Sequence, residues 1–209
     1  MNDIDSITVK AYRQNYKNYI TKFGDTSRNE VVQSGLDEFC NILNGKKVLD
    51  IGCADGGYSN YIAQKGFEVV GIDIVSEFIE YARLTHSHVK FELMNMKQMS
   101  FPSNSFDGIF AIASLLHLEK NQLDVVLKKI YNILKKDGVL FFTLKAGIGE
   151  KFVPDQFDLN QQRYFSLYTQ TEIQEILEKL NFNVIEITEK EFEFNMSTRK
   201  PWLAIYAKK

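Results

Sequence analysis

The residues best equipped for chemistry cluster in the first third of the chain. The stretch VLDIGCADGG at 48–57 sets Asp50 inside an apolar run and follows it with Gly52, Cys53, Ala54 and Gly56 in a turn of small residues. Gly52 and Gly56 lack a Cβ, so a ligand is expected to approach their backbone closely. A helix opening after that turn is expected to offer unpaired N–H groups and a partial positive charge. A dinucleotide pyrophosphate wants G-x-G-x-x-G in such a turn. The aligned positions here are Gly52, Ala54 and Gly57, so the central glycine is missing. Asp50 would also oppose a pyrophosphate, and its carboxylate suits a cationic ligand bearing an ammonium and a sulfonium. Alanine at 54 costs little provided its φ stays negative. Asp73 lies 73 − 50 = 23 residues after Asp50. An acid about 20 residues past a glycine turn can accept hydrogen bonds from ribose hydroxyls. Capping the helix expected from Ser76, itself a candidate N-cap, is a second role open to Asp73.

A second group lies further along. An imidazole at His117 that titrates near neutral pH would serve as a base; packing below a site, or bonding a carbonyl, is the alternative. Arg163, beside Tyr164, can hold an anionic group or lie at the surface. Tyr12, Tyr16, Tyr19 and Phe23 fall on one helical face, accompanied by Lys10, Arg13, Lys17 and Lys22. Basic residues among aromatics bind single-stranded nucleic acid in some proteins, and elsewhere form an amphipathic helix that caps a core. The 3 histidines and 2 cysteines show no metal-ligand spacing, so no metal is expected.

These groups need a scaffold, and the chain alternates strand and helix patterns. Strands are expected at 47–51, 69–74, 89–94, 106–113, 138–144, 184–187 and 202–207. Helices are expected at 25–43, 58–64 with Gly66 as the stop, from Ser76, from 123 to 134 with Gly138 closing it, and from Thr171. Alternation of this kind implies a mostly parallel sheet with right-handed crossovers. The segment 192–201 is too short for a crossover, so the last two strands read as an antiparallel hairpin. The connection 146–169 reads as one long loop leaving the carboxyl end of the fifth strand, positioned to roof a pocket.

The turn at 48–57 resembles the first signature of the class I S-adenosylmethionine-dependent methyltransferases, D-x-G-x-G-x-G. Asp50, Gly52 and Gly56 match it, and Ala54 departs at the middle glycine. The resemblance covers roughly Tyr12 to the C-terminus. It implies a doubly wound Rossmann-like α/β sheet of seven strands in the order 3-2-1-4-5-7-6, mostly parallel with strand seven antiparallel. It also implies S-adenosylmethionine as cofactor, with S-adenosylhomocysteine as product. Asp73 would hold both ribose hydroxyls. Asn95, where aspartate is commoner, and the backbone of Met96 would recognise adenine, and Cys53, Ile74 and Ala111 would complete the cofactor site. An N-terminal aromatic, Tyr12 or Tyr19, would close over it. After the fourth strand the chain reads AIASLLHL (111–118) rather than the Asn/Asp-Pro-Pro-aromatic motif of enzymes that methylate exocyclic amines of adenine. Neither Cys40 nor Cys53 fits the nucleophile of a cytosine C5 methyltransferase. The Arg163-Tyr-Phe stretch and the Lys200-Pro-Trp-Leu stretch are also similar to some transfer-RNA wobble-uridine methyltransferases, which keeps RNA open as an alternative acceptor. A cofactor-binding module without catalysis is a third reading.

Composition bounds the rest. The chain has 209 residues, 25 Lys+Arg against 27 Asp+Glu, and 44% apolar residues. One methyltransferase domain over 1–209 is expected, with 1–43 as a helical cap and 146–169 as an acceptor-site loop. Balanced charge favours a small-molecule acceptor over nucleic acid. The first ten residues show no signal-peptide pattern and no apolar run reaches the length of a membrane span, so a soluble, cytoplasmic monomer or homodimer is expected.

Overall fold

The computed structural model describes residues 3–24, 30–190 and 201–209. Two helices lead the chain, α1 (Asp3–Phe23) and α2 (Glu30–Ile42). Then come β1 (Lys47–Ile51), α3 (Gly57–Gln64), β2 (Glu68–Asp73), α4 (Ser76–Thr85), β3 (Lys90–Leu93), β4 (Phe106–Ala111), α5 (Lys120–Ile133) and β5 (Leu134–Ala146). The last part holds β6 (Glu150–Pro154), β7 (Gln162–Tyr168), α6 (Gln170–Lys179), β8 (Asn183–Lys190) and β9 (Trp202–Lys208).

The strands form a nine-stranded sheet. β3, β2, β1, β4 and β5 lie side by side and parallel. β9 runs antiparallel along β5, from Val139 opposite Lys208 to Lys145 opposite Trp202, and pairs β8 on its other side. With β9 and β8 in the places of strands seven and six, the order 3-2-1-4-5-7-6 is realised, and the C-terminal hairpin is as expected. The count of seven is not. Residues 146–169 hold the hairpin β6–β7, which joins the sheet where Lys145 and Ala146 pair with Leu167 and Tyr168. Exposed polar residues break the strand pattern there: Glu150 to Phe152 face solvent, while Tyr164 to Tyr168 are buried.

Burial on both faces explains the parallel core. Val48, Leu49, Ile51, Ile109, Phe110, Val139, Leu140 and Phe142 are sealed from solvent. α2 packs its Val32–Leu36–Phe39 stripe on β5, where Phe141 and Tyr206 stack at 4.5 Å and the Tyr206 hydroxyl donates to the Gly35 carbonyl at 2.9 Å.

Several helix boundaries move from the sequence reading. Ser76 opens α4 without capping it; the Asp73 carboxylate accepts the Val75 N–H at 2.9 Å. α6 opens at Gln170, one residue before the expected Thr171, and Thr169 caps it through the Glu172 N–H. Gly138 lies inside β5, and Asp137 takes the left-handed turn at φ 62°. Residues 25–29, part of the expected helix 25–43, and 191–200 lie outside the described residues.

Candidate active site

Strand β1 ends at Ile51, and the chain turns over its tip before α3 begins. Gly52 and Gly56 both adopt φ 79°, a conformation that costs a residue with a Cβ. Their neighbours supply a further reason for glycine. A Cβ on Gly52 would occupy the place of the Ser114 side chain, and one on Gly56 would meet the Phe91 ring. Both glycines therefore make room for neighbouring side chains, and Gly52 also lines the cleft described below. Ala54 sits at φ 46°, against the negative φ expected of it, and its N–H is held at 3.0 Å by Asp73 Oδ2. That bond offsets a strain of about 1–2 kcal/mol.

The amides expected to be free are largely used within the turn. Gly52 and Cys53 both donate to the Ile72 carbonyl, Gly56 donates to Cys53, and Gly57 donates to the Asp55 carboxylate. What faces the cleft is acidic. Asp50, 2% exposed, accepts from Ser59 Oγ at 2.6 Å. Burial raises the pKa of the Asp73 carboxyl, and the Val75 and Ala54 N–H groups oppose that rise. Burial, with Asp50 beside it, pushes the Cys53 thiol up and keeps it protonated. A turn poor in free donors and rich in carboxylates suits a cation and repels a pyrophosphate.

The cleft runs over the carboxyl ends of β1, β2, β4 and β5, with a volume of about 850 Å³. Asp50, Gly52, Cys53, Ala54, Asp73, Ile74, Asn95, Met96, Tyr12, Tyr19, His117 and Arg163 all line it. Gly56, Ala111 and Tyr164 do not. Gly56 is covered by Phe91. Ala111 is fully buried, and Ile112 and Ala113 line the wall in its stead. Tyr164 turns its hydroxyl to Glu150 and contributes its backbone. Asn95 already accepts the Lys97 N–H at 2.9 Å through its side-chain oxygen, which keeps a second lone pair.

The far wall of the cleft is a polar chain drawn from distant segments. His117 ends the short 3-10 turn Leu115–His117 after β4. Its Nδ1 lies 2.7 Å from the Tyr164 carbonyl, which can only accept, so Nδ1 carries the proton. Nε2 is then the lone-pair nitrogen and accepts from the Tyr12 hydroxyl at 2.8 Å. Arg163 Nη1 donates to that same hydroxyl at 3.2 Å, and its Nε lies 2.9 Å from Asp155. Asp155, fully buried, also accepts from the Tyr19 hydroxyl and the Phe157 N–H. Burial pushes the His117 pKa down to about 3, with Arg163 and Lys145 adding to the fall. The expectation of an imidazole titrating near neutral pH is therefore corrected: the ring is neutral and already engaged at both nitrogens.

The sequence reading missed Asp155, Ser114, Thr143, Phe78 and Lys145. Lys145 lies at the end of β5 with its ammonium 4.8 Å from the Phe165 ring and 5.5 Å from that of Trp202. Asp155 follows Pro154 in what looked like a plain loop, and nothing in its neighbours advertises a buried acid. Among the described residues no group of three or more His, Cys, Asp or Glu could hold a metal. No helix among them is long and apolar enough to cross a membrane.

The fold agrees with comparisons to known proteins. Residues 48–138 match a family model described as a methyltransferase domain. A phosphoethanolamine N-methyltransferase of Plasmodium falciparum is 29% identical over 217 residues, covering 96% of this chain and 80% of that protein. A ubiquinone biosynthesis O-methyltransferase of Actinobacillus pleuropneumoniae is 29% identical, covering 80% and 78%. Among solved structures, a SAM-dependent methyltransferase from Methanosarcina mazei superposes with a TM-score of 0.75 at 23% identity, covering 82% of this chain and 96% of that one. These matches support a class I S-adenosylmethionine-dependent methyltransferase. The donor set fits that cofactor: carboxylates for an ammonium and a ribose, an amide side chain and an apolar Met96 edge for an adenine, and no basic residue at the β1 turn.

Proposed function

We propose that the protein transfers a methyl group from S-adenosylmethionine to an oxygen, nitrogen or sulfur atom of a small molecule carrying an anionic group. When bound, the cofactor supplies a methyl already activated on a sulfonium, so alignment and exclusion of water are the protein's main tasks. Asp50 and the turn at Gly52–Ala54 would hold the amino-acid end, Asp73 the ribose, and Asn95 with Met96 the adenine. Tyr12 and Tyr19 on α1 would close over the site.

The observation that carries the acceptor reading is the Arg163–Tyr12–His117 chain on the cleft wall. Arg163 faces the cavity with its charge fixed by Asp155, and Lys145 lines the same cavity. An amine or hydroxyl acceptor sheds a proton as it is methylated. The Tyr12 hydroxyl, 2.8 Å from His117 Nε2, would relay that proton to the Nε2 lone pair. A bound anion near the ring raises its basicity from the resting value. Both named relatives carry small-molecule acceptors in their names, which supports the same reading.

Calorimetry tests the cofactor: S-adenosylhomocysteine binds and NAD does not. Transfer of a labelled methyl group tests the acceptor, with phosphoethanolamine, ethanolamine, a catechol and transfer RNA side by side. Phosphoethanolamine is expected to exceed ethanolamine by at least about tenfold, one charge-assisted contact. NAD binding without S-adenosylhomocysteine binding sinks the cofactor assignment. Transfer confined to transfer RNA, with a steep salt dependence, sinks the small molecule.

A further inference from the structure

Five residues other than glycine take a positive φ among the described residues. Asn104, Asp137 and Asn181 are types that enter the left-handed region readily. The other two are alanines, Ala54 at 46° and Ala113 at 52°, and both line the cleft. Each stands in the turn just past a central strand. Each has its N–H held by a side-chain oxygen from the neighbouring strand: Ala54 by Asp73 of β2, Ala113 by Thr143 Oγ1 of β5 at 2.9 Å. Thr143 is fully buried, where a hydroxyl without a partner is costly, so this bond is the reason the core tolerates it.

Ala113 leads directly into the 3-10 turn. Ser114 donates to the Ile51 carbonyl at 2.6 Å and fills the space Gly52 leaves open. The His117 N–H then bonds the Ser114 carbonyl at 3.1 Å, and its ring spans the Tyr164 carbonyl and the Tyr12 hydroxyl. Ala113, in a backbone conformation that alanine disfavours, thus stands four residues upstream of His117 at the start of this run of bonds.

We propose that Thr143 is a positioning residue of the methyl-transfer site: by holding Ala113 in its left-handed turn it aims His117 at Tyr12 and keys the acceptor wall to the cofactor turn. The His117 role rests on the function proposed above; the mechanical link does not. Without the Thr143 oxygen, Ala113 relaxes toward negative φ, the 3-10 turn rotates, and the His117 ring leaves its two partners.

The test follows the His117 ring nitrogens by NMR as a function of pH. In the native protein His117 shows one neutral tautomer, protonated at Nδ1, with no titration near neutrality. Thr143→Val keeps the side-chain shape and removes the oxygen. It is expected to raise the His117 midpoint by about one pH unit or more and to mix the tautomers. Thr143→Ser keeps the hydroxyl and the native signature. The double variant Ala113→Gly/Thr143→Val restores that signature, because glycine accepts the turn without the bond. An unchanged His117 in folded Thr143→Val overturns the proposal. So does a serine variant as disturbed as the valine one, or a glycine that restores nothing, since either places the defect in core packing. S-adenosylhomocysteine calorimetry on the native protein judges the proposed function separately; its failure leaves the His117 measurement intact.

Discussion

The turns after β1 and β4 solve the same problem with different chemistry. Both carry an alanine at positive φ, and both borrow an oxygen from the next strand to hold it. The β1 turn uses a carboxylate, Asp73, that also accepts the Val75 N–H and faces the cleft. The β4 turn uses Thr143, a neutral hydroxyl that faces inward and does not line the cleft. One clamp can therefore touch a ligand as well as shape the backbone, and the other only shapes. Ser114 joins the two by packing against Gly52 and bonding the Ile51 carbonyl. The two turns are thus in direct contact, through one hydrogen bond and one close packing.

The most severe way to break that pairing is Gly52→Val. A Cβ there collides with Ser114, and φ 79° is closed to a β-branched residue, so at least about 3 kcal/mol of stability is lost along with S-adenosylhomocysteine binding. Chemical denaturation and calorimetry read both; native-like values for either would mean that the turns are not keyed together. Asp73→Ala separates the clamp that touches ligand from the one that does not. It is expected to weaken S-adenosylhomocysteine binding by about 1–3 kcal/mol, while Thr143→Val changes that affinity little. Equal losses in the two variants would erase the distinction.

Acid sensitivity sharpens the contrast between the two sides of the cleft. His117 is held neutral in the fold, with its pKa down at about 3 against an ordinary 6.5. The unfolded chain therefore binds more protons across that window, and stability falls as pH drops from 6.5 toward 3. The slope approaches ~1.4 kcal/mol per pH unit. His117→Phe should flatten the pH dependence of the denaturation midpoint above pH 4; an unaltered slope would remove His117 as its source. The mildest probe is Ala54→Gly, which frees the strained φ. It should change stability by no more than about 1 kcal/mol, because the relieved strain is offset by glycine's greater entropy when unfolded.

The two sides also differ in how much of them the sequence shows. Asp50, Gly52, Ala54 and Asp73 sit within 24 residues, on two adjacent strands whose patterns are plain. Their grouping could be read before any coordinates. The hairpin β6–β7 could not, because its outer strand is exposed and polar and reads as loop. Nor could the sign of φ at Ala54, which depends on an oxygen arriving from Asp73. For His117 the sequence points to the right neighbourhood and the wrong titration. Its pKa follows from burial and from Arg163 and Lys145, neither of which is near it in the chain.

The amino-acid order alone settled the alternation of strands and helices, the small-residue turn after β1 and the antiparallel C-terminal hairpin. These rest on hydrophobic period and on residues within one strand-turn-strand unit. Only the folded chain decided that Tyr12 meets His117 across 105 residues, that Arg163 reaches Tyr12 across 151, and that Asp155 lies buried beside Tyr19 across 136. Contacts between such distant residues leave no period in a single sequence, because nothing local changes when the partner is far along the chain. They come into being when α1 lies down across the carboxyl ends of the strands.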